Sequence, residues 1–117
     1  MLFVTVSTDR KQLDELTVLL LRAFHGSVIY QHTDPVRALR DAQTHQADAV
    51  IVGKHADGMD GLSVLQLLRR SGPPQTAVLV LSENEAHGAA ALEQGADGTV
   101  CCPLTEYKLR DALEALL

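Results

Sequence analysis

The stretch from Asp48 to Gly53 constrains the fold of this chain more than any other, because it is apolar at nearly every position. A strand with one face in water alternates apolar and polar residues, whereas a strand covered on both faces is apolar throughout. Such double coverage is typical of a parallel sheet. Four further short apolar runs are also predicted to be strands; they are Leu2–Val6, Ser27–Gln31, Thr76–Leu81 and Thr99–Cys102.

Helical patterns separate these strands. After the first strand, apolar residues recur at helical spacing, and either Asp9 or Ser7 can cap that helix. Asp34 followed by Pro35 is a favoured helix start. The second helix has a predicted apolar face made of Val36, Leu39 and Ala42. The later helices are predicted from Leu62 to before Gly72, from Ala86 to Gln94 with Gly95 as the C′ glycine, and from the cap Thr105 to Leu117.

The alternation predicts an α/β domain of the (βα)₅ type. Because crossover connections are right-handed, the helices cover both faces of a doubly wound parallel sheet. The flavodoxin-like strand order 2-1-3-4-5 is the first choice. The sequence has no internal repeat, linker or low-complexity segment. We therefore predict one domain over residues 1–117, which a C-terminal output domain could follow.

Charge and composition argue against several classes of function. The net charge is −5, and no basic run favours direct contact with nucleic acid or with an anionic membrane. No apolar stretch approaches the ~20 residues of a membrane span, and because the chain enters a strand pattern without a basic region before it, we expect no signal peptide. The two adjacent thiols, Cys101 and Cys102, fit a reducing compartment. We therefore expect a cytoplasmic protein.

The histidines and the common catalytic patterns give no sign of a metal centre or an enzyme. The five histidines lack the spacing of metal ligands; they are His25, His32, His45, His55 and His87. No Ser-His-Asp order, Walker A loop or GxGxxG pattern appears. We predict a protein without a cofactor, a metal site or an enzymatic activity.

Several stretches, taken in order, carry a resemblance to a known family. They are Ala47–Val52 leading to Gly58–Leu62, then Val78–Ser82, then Leu92–Gly98, and finally Cys102-Pro103-Leu104 before the last helix. With this order and spacing, the whole chain resembles the CheY-like receiver domain of bacterial two-component response regulators.

The resemblance implies a defined phosphorelay chemistry. In that family, a carboxylate at the end of the third strand accepts a phosphoryl group, and two carboxylates after the first strand hold Mg²⁺. A Lys that ends the fifth strand pairs with the phosphoryl group. A Ser or Thr that ends the fourth strand hydrogen-bonds it, and that contact draws an aromatic residue of the fifth strand inward.

This chain departs from the family pattern at almost every chemical position. The acceptor position falls on Gly53, which has no side chain to act as a nucleophile. The acidic pair falls on Ser7 and Thr8, whose hydroxyls are poor Mg²⁺ ligands beside carboxylates. At the other positions, Cys102 replaces the Lys, Thr99 replaces the switch aromatic, and Ser82 keeps the family identity.

These departures predict a pseudo-receiver that works through protein contacts without phosphorylation. Alternatives stay open. A one-residue shift of the first loop would place Asp9 in the second acidic position, and Asp57 or Asp60 could be a displaced acceptor. A third reading is a small-anion or ligand sensor in the pocket vacated above Gly53. Its candidate residues are Asp9, Lys54 and His55.

The resemblance also implies a contact surface. The family's usual dimer and partner face is built by the fourth helix, the fifth strand and the fifth helix. Its predicted exposed members are Glu85, His87, Glu93, Tyr107, Lys108 and Arg110. We expect self-association or a protein partner there, in a regulator of transcription. A redox role for Cys102 would need a nearby cation, such as Lys54, to lower its pKa.

Overall fold

The computed structural model describes residues 1–53, 61–72 and 76–117. Within them, five strands alternate with five helices. The strands are β1 (Leu2–Val6), β2 (Val28–His32), β3 (Ala49–Val52), β4 (Ala77–Ser82) and β5 (Gly98–Cys101). The helices are α1 (Arg10–Ala23), α2 (Pro35–Thr44), α3 (Gly61–Ser71), α4 (Glu85–Glu93) and α5 (Glu106–Leu116).

The strands form one parallel sheet in the order β2-β1-β3-β4-β5, which confirms the predicted topology. β3 lies between β1 and β4, and its four residues are all buried. This position explains why its sequence is apolar throughout. Val6 pairs with Val52, so the chain leaves β1 and β3 at the same level of the sheet.

The sheet separates two apolar cores. One core packs residues of α2, α3 and α4 against alternate strand residues such as Val4, Val50 and Val80. The other packs α1 and α5 against the opposite side chains, including Phe3 and Ile51. Burial on both faces supplies the main stabilising contribution of a domain that has few aromatic residues.

The helix caps explain where α1, α2 and α5 begin. Asp9 caps α1, so of the two candidates the structure selects Asp9 and not Ser7. Asp34 caps α2 and Thr105 caps α5, as predicted. Gly95 follows the end of α4 with φ of +109°, a conformation that favours glycine.

The prediction that Val36 lies in the buried face of α2 is wrong. Val36 is 54% exposed, whereas Ala38 and Ala42 are fully buried. Pro35 is also buried, so the buried face of the helix runs through Pro35, Ala38 and Ala42. Because successive helical residues are rotated by about 100°, Val36 then faces solvent.

Candidate functional site

The candidate site lies at the carboxyl ends of β1 and β3. Ser7 follows β1 and is fully buried, and Gly53 follows β3 and is also buried. The Gly53 N–H donates to the carbonyl oxygen of Val6 at 2.7 Å. The backbones of the two strands are therefore still joined at the level of the site.

The side chain of Gln12 fills the space beside Gly53. A Cβ atom built on residue 53 would overlap Gln12 Oε1 and would lie 2.8 Å from Ser7 Cβ and 3.0 Å from Ser7 Oγ. Ser7 Oγ donates to Gln12 Oε1 at 2.9 Å, and the Asp9 N–H donates to Ser7 Oγ at 3.1 Å. A side chain of any size on residue 53 would require Gln12 or Ser7 to move.

Asp9 holds the first turn of α1 in the position that brings Gln12 to the site. Its carboxylate accepts hydrogen bonds from the N–H groups of Lys11 at 3.0 Å and Gln12 at 3.4 Å. Gln12 is thus the third residue of the helix, and its side chain accepts a hydrogen bond from Ser7, the residue that follows β1. Thr8, between Ser7 and Asp9, is exposed.

On the other side of β3, the hydroxyls of Ser82 and Thr99 lie beneath α4. Ser82 is 2% exposed, and its Oγ donates to the carbonyl oxygen of Val100 at 3.4 Å. A Cβ atom on Gly88 would lie 3.4 Å from both Ser82 Oγ and Thr99 Oγ1. A methyl group at this position would therefore make ordinary van der Waals contact with the two hydroxyls.

Cys102 directly follows β5 and is joined to Pro103 by a cis peptide bond. Its N–H donates to the carbonyl oxygen of Ser82 at 2.9 Å. Burial raises the pKa of the Cys102 thiol, and the neighbouring Cys101, Glu15 and Glu83 raise it further, against a lowering effect of Lys108. This direction is opposite to the lowered pKa that the redox role of Cys102 requires.

Two adjoining clefts, of about 290 and 380 Å³, open between α1 and Cys102. Asp9, Gln12 and Cys102 line both of them. The remaining charged groups among the described lining residues are Lys11, Glu15 and Glu83. Three carboxylates against one ammonium group disfavour an anionic ligand there.

Comparison with known proteins supports the same fold. The family model for the response regulator receiver domain matches residues 4–114. The chain belongs to this family. Receiver domains are signalling modules, and no curated protein sequence matches the chain.

Solved receiver structures superpose on nearly the whole chain. A receiver domain protein from Clostridium thermocellum is 18% identical with a TM-score of 0.83, covering 98% of this chain and 92% of that one. The isolated receiver domain of RcsB from Salmonella enterica serovar Typhimurium, determined with the phosphomimetic BeF3-, is 20% identical with a TM-score of 0.82, covering 99% and 87%. Vibrio cholerae chemotaxis protein CheY4 is 21% identical with a TM-score of 0.82, covering 99% and 98%.

The residues of this receiver domain do not fit the Mg²⁺ ion that the family implies. Gly53 offers no side-chain oxygen, and the Ser7 hydroxyl is fully buried and bonded to Gln12. The Asp9 carboxylate is engaged as the cap of α1. Within residues 1–53, 61–72 and 76–117, no three His, Cys, Asp or Glu side chains form a group that could hold a metal ion.

The predicted contact face is only partly available to a partner. Four of its six members are exposed; they are Glu85, Glu93, Tyr107 and Lys108. His87 and Arg110 are half-buried, contrary to prediction, because each has a partner in its own segment. His87 Nδ1 accepts from the Glu83 N–H at 3.3 Å, and Arg110 Nη2 donates to Glu106 Oε2 at 2.8 Å. Lys108 Nζ donates to the carbonyl oxygens of Cys101 and Pro103, at 3.4 and 3.2 Å.

Some predicted positions lie outside the described residues. They are Lys54, His55, Asp57 and Asp60. The alternatives that depend on them, a displaced acceptor and a cation above Gly53, remain predictions.

Gln12 is the residue at the site that the sequence reasoning missed. A signal for it exists, because Asp9 and Gln12 have the spacing of a capping box. In that motif, the side chain of the third helical residue bonds the backbone N–H of the capping residue. Here the Gln12 side chain bonds the Ser7 hydroxyl at 2.9 Å. Glu15 and Glu83 were also missed, because only the fold brings them near Cys102.

Proposed function

We propose that this receiver domain acts without phosphorylation of an aspartate, as a pseudo-receiver that transmits signals through protein contacts. The observation that carries the proposal is Gly53 at the end of β3, with Gln12 Oε1 in the space that a side chain on residue 53 would need. A phosphoryl group needs a nucleophilic oxygen at the acceptor position, and glycine supplies none.

The surroundings of Gly53 support the same proposal. An acceptor carboxylate works with a divalent cation that neutralises the phosphoryl oxygens. Ser7 and Thr8 offer hydroxyls where the family has carboxylates, and Cys102 offers a thiol with a raised pKa where the family has a cation. These positions therefore supply neither the carboxylates that would bind the metal nor the cation that would pair with the phosphoryl group.

The proposed output is binding through the surface made by α4, β5 and α5. Tyr107 is 74% exposed and Leu92 is 49% exposed, so this surface carries two large apolar groups. Tyrosine is enriched among residues that dominate interface energetics, whereas exposed ion pairs contribute only about 0–1 kcal/mol each. We therefore assign the larger contribution to binding to Tyr107 and a minor contribution to the charged residues.

The proposal places the domain in the cytoplasm, as the non-enzymatic regulatory part of a response regulator that controls transcription through a C-terminal output domain. The two free thiols, Cys101 and Cys102, favour a reducing compartment. Among the described residues, no helix has the length and apolarity that crossing a bilayer requires.

Sedimentation of the purified domain tests the proposed function. We expect the concentration dependence of association to be identical with and without BeF3⁻ and Mg²⁺. We expect Tyr107→Ala to weaken association, whereas Val36→Ala, a truncation of another exposed apolar residue, on α2, leaves it unchanged. Association that strengthens with BeF3⁻ and Mg²⁺ would contradict phosphorylation-independent action.

A further inference from the structure

The first turn of α1 is tied to the end of β1 by a short chain of hydrogen bonds. The Asp9 N–H donates to Ser7 Oγ, and Ser7 Oγ donates to Gln12 Oε1. The Asp9 carboxylate in turn accepts from the Gln12 N–H. The three residues therefore form a closed loop of contacts between β1 and α1.

Gly53 allows this loop to close against β3. Beside its Cα, the Gln12 amide oxygen and the Ser7 side chain leave no free space for a Cβ atom. Ser7 is fully buried and Gln12 is half-buried, so both side chains are packed and not simply folded over the surface. Close packing makes a group that fills such a space costly to remove.

We infer that Gln12 is an internal latch, which occupies the acceptor position of the receiver fold and fastens the start of α1 to the ends of β1 and β3. The latch goes beyond the proposed function, because it concerns how the carboxyl edge of the sheet is held and not what the domain binds. It requires no phosphodonor, metal or partner.

Two features of glutamine suit this role. Its amide oxygen accepts the hydrogen bond from the Ser7 hydroxyl, and its unbranched side chain spans the distance from the helix to the sheet. Alanine at position 12 would remove both the acceptor and the packed atoms. Since alanine favours helix at least as strongly as glutamine, a loss of stability on this change cannot come from helix propensity.

Amide hydrogen exchange measures the latch directly. The Gly53 N–H, bonded to the carbonyl oxygen of Val6, reports on the joined ends of β1 and β3. With Gln12→Ala, we expect its exchange to accelerate roughly three- to tenfold, the range that follows from losing one hydrogen bond. Lys11→Ala, on the exposed neighbouring position, is the matched control and should leave exchange unchanged. The Cys102 N–H, at the same edge but between β4 and β5, should not respond.

A double-mutant cycle separates the latch from a general weakening of α1. Gly53→Ala should displace the Gln12 side chain, so Gln12→Ala should change the unfolding equilibrium constant roughly three- to tenfold in the parent and hardly at all beside Gly53→Ala. Additive effects of the two substitutions would overturn the latch. Unaltered Gly53 exchange in Gln12→Ala, or equal acceleration in Lys11→Ala, would do so independently. The proposed function survives each of these outcomes, since none involves a phosphodonor.

Discussion

Gln12 Oε1 lies so close to Gly53 that a Cβ atom on residue 53 would overlap it. This contact connects two differences from the family pattern. The acceptor side chain is gone, and a side chain from α1 fills its space, with the Ser7 hydroxyl bonded to it at 2.9 Å. Among the described residues, the space directly beside the Gly53 Cα is therefore occupied by the Gln12 side chain, and a group could enter that space only if Gln12 moved.

The first prediction concerns Gly53→Asp, which restores the family residue at the acceptor position. Because Ser7 Cβ would lie 2.8 Å from the new Cβ, we expect the substitution to destabilise the domain by about 1–3 kcal/mol, as overpacking does. Urea denaturation measures the change. Gly88→Ala is the control, since its Cβ would make ordinary contacts at 3.4 Å. A Gly53→Asp protein as stable as the parent would show that the site is open.

The second prediction concerns the cap of α1. Asp9→Ala removes the acceptor for the Lys11 and Gln12 N–H groups, so we expect a loss of about 1 kcal/mol in the free energy of unfolding. Asp9→Asn keeps a capping oxygen and should cost much less. Equal losses for the two variants would mean that the carboxylate charge, and not the cap, carries the stability.

The third prediction concerns Thr5, which is fully buried in β1. No group among the described residues forms a hydrogen bond with its Oγ1. Thr5→Val replaces this unbonded hydroxyl with a methyl group, and we expect a gain of about 1 kcal/mol in thermal or urea denaturation. The matched control is Thr76→Val, which should destabilise because Thr76 Oγ1 donates to the carbonyl oxygen of Ala47 at 3.1 Å. Loss of stability in both variants would reveal a hidden partner of Thr5.

The fourth prediction concerns the Cys102 thiol, whose pKa is raised by burial and by Cys101, Glu15 and Glu83. In a Cys101→Ser background, we expect the pH profile of its alkylation rate to have a midpoint above the ordinary thiol value. Glu15→Gln or Glu83→Gln should shift that midpoint downward. A midpoint at or below the ordinary value would instead support a reactive thiolate.

The raised pKa of the Cys102 thiol also predicts how the stability of the domain changes with pH. The folded state favours the neutral thiol. The stability that this preference contributes is fully present below the pKa of the unfolded thiol, and it is lost as pH rises through the higher pKa of the folded state. Urea denaturation should therefore show a fall in stability on the alkaline side that Cys102→Ser reduces. An unchanged fall in that variant would assign the effect to other groups.

The architecture could be predicted from sequence because its signals are local and repeated. The apolar run at β3 and the periodic leucines of α1 depend on burial alone, and burial leaves a pattern in the chain. Asp34 and Thr105 mark helix starts because capping needs a particular side chain at a particular position. Val36 was misplaced, since the rotation of a short helix depends on packing across the sheet.

The candidate site could be predicted only in part. Gly53 stood out because a missing side chain is visible in the sequence. Gln12 did not, because a polar residue in the first turn of a helix is usually solvated. Gln12 packs against Gly53 because β1 and β3 end next to each other at the same level of the sheet. Only the folded structure shows this arrangement.

Intact-mass spectrometry after incubation with acetyl phosphate and Mg²⁺ tests the central claim most directly. The RcsB receiver domain, which has been studied with the phosphomimetic BeF3-, serves as the comparison protein. We predict that the mass of the domain does not change, and that Asp57→Asn and Asp60→Asn behave like the parent. A Mg²⁺-dependent gain of one phosphoryl group, lost in either variant, would contradict the account.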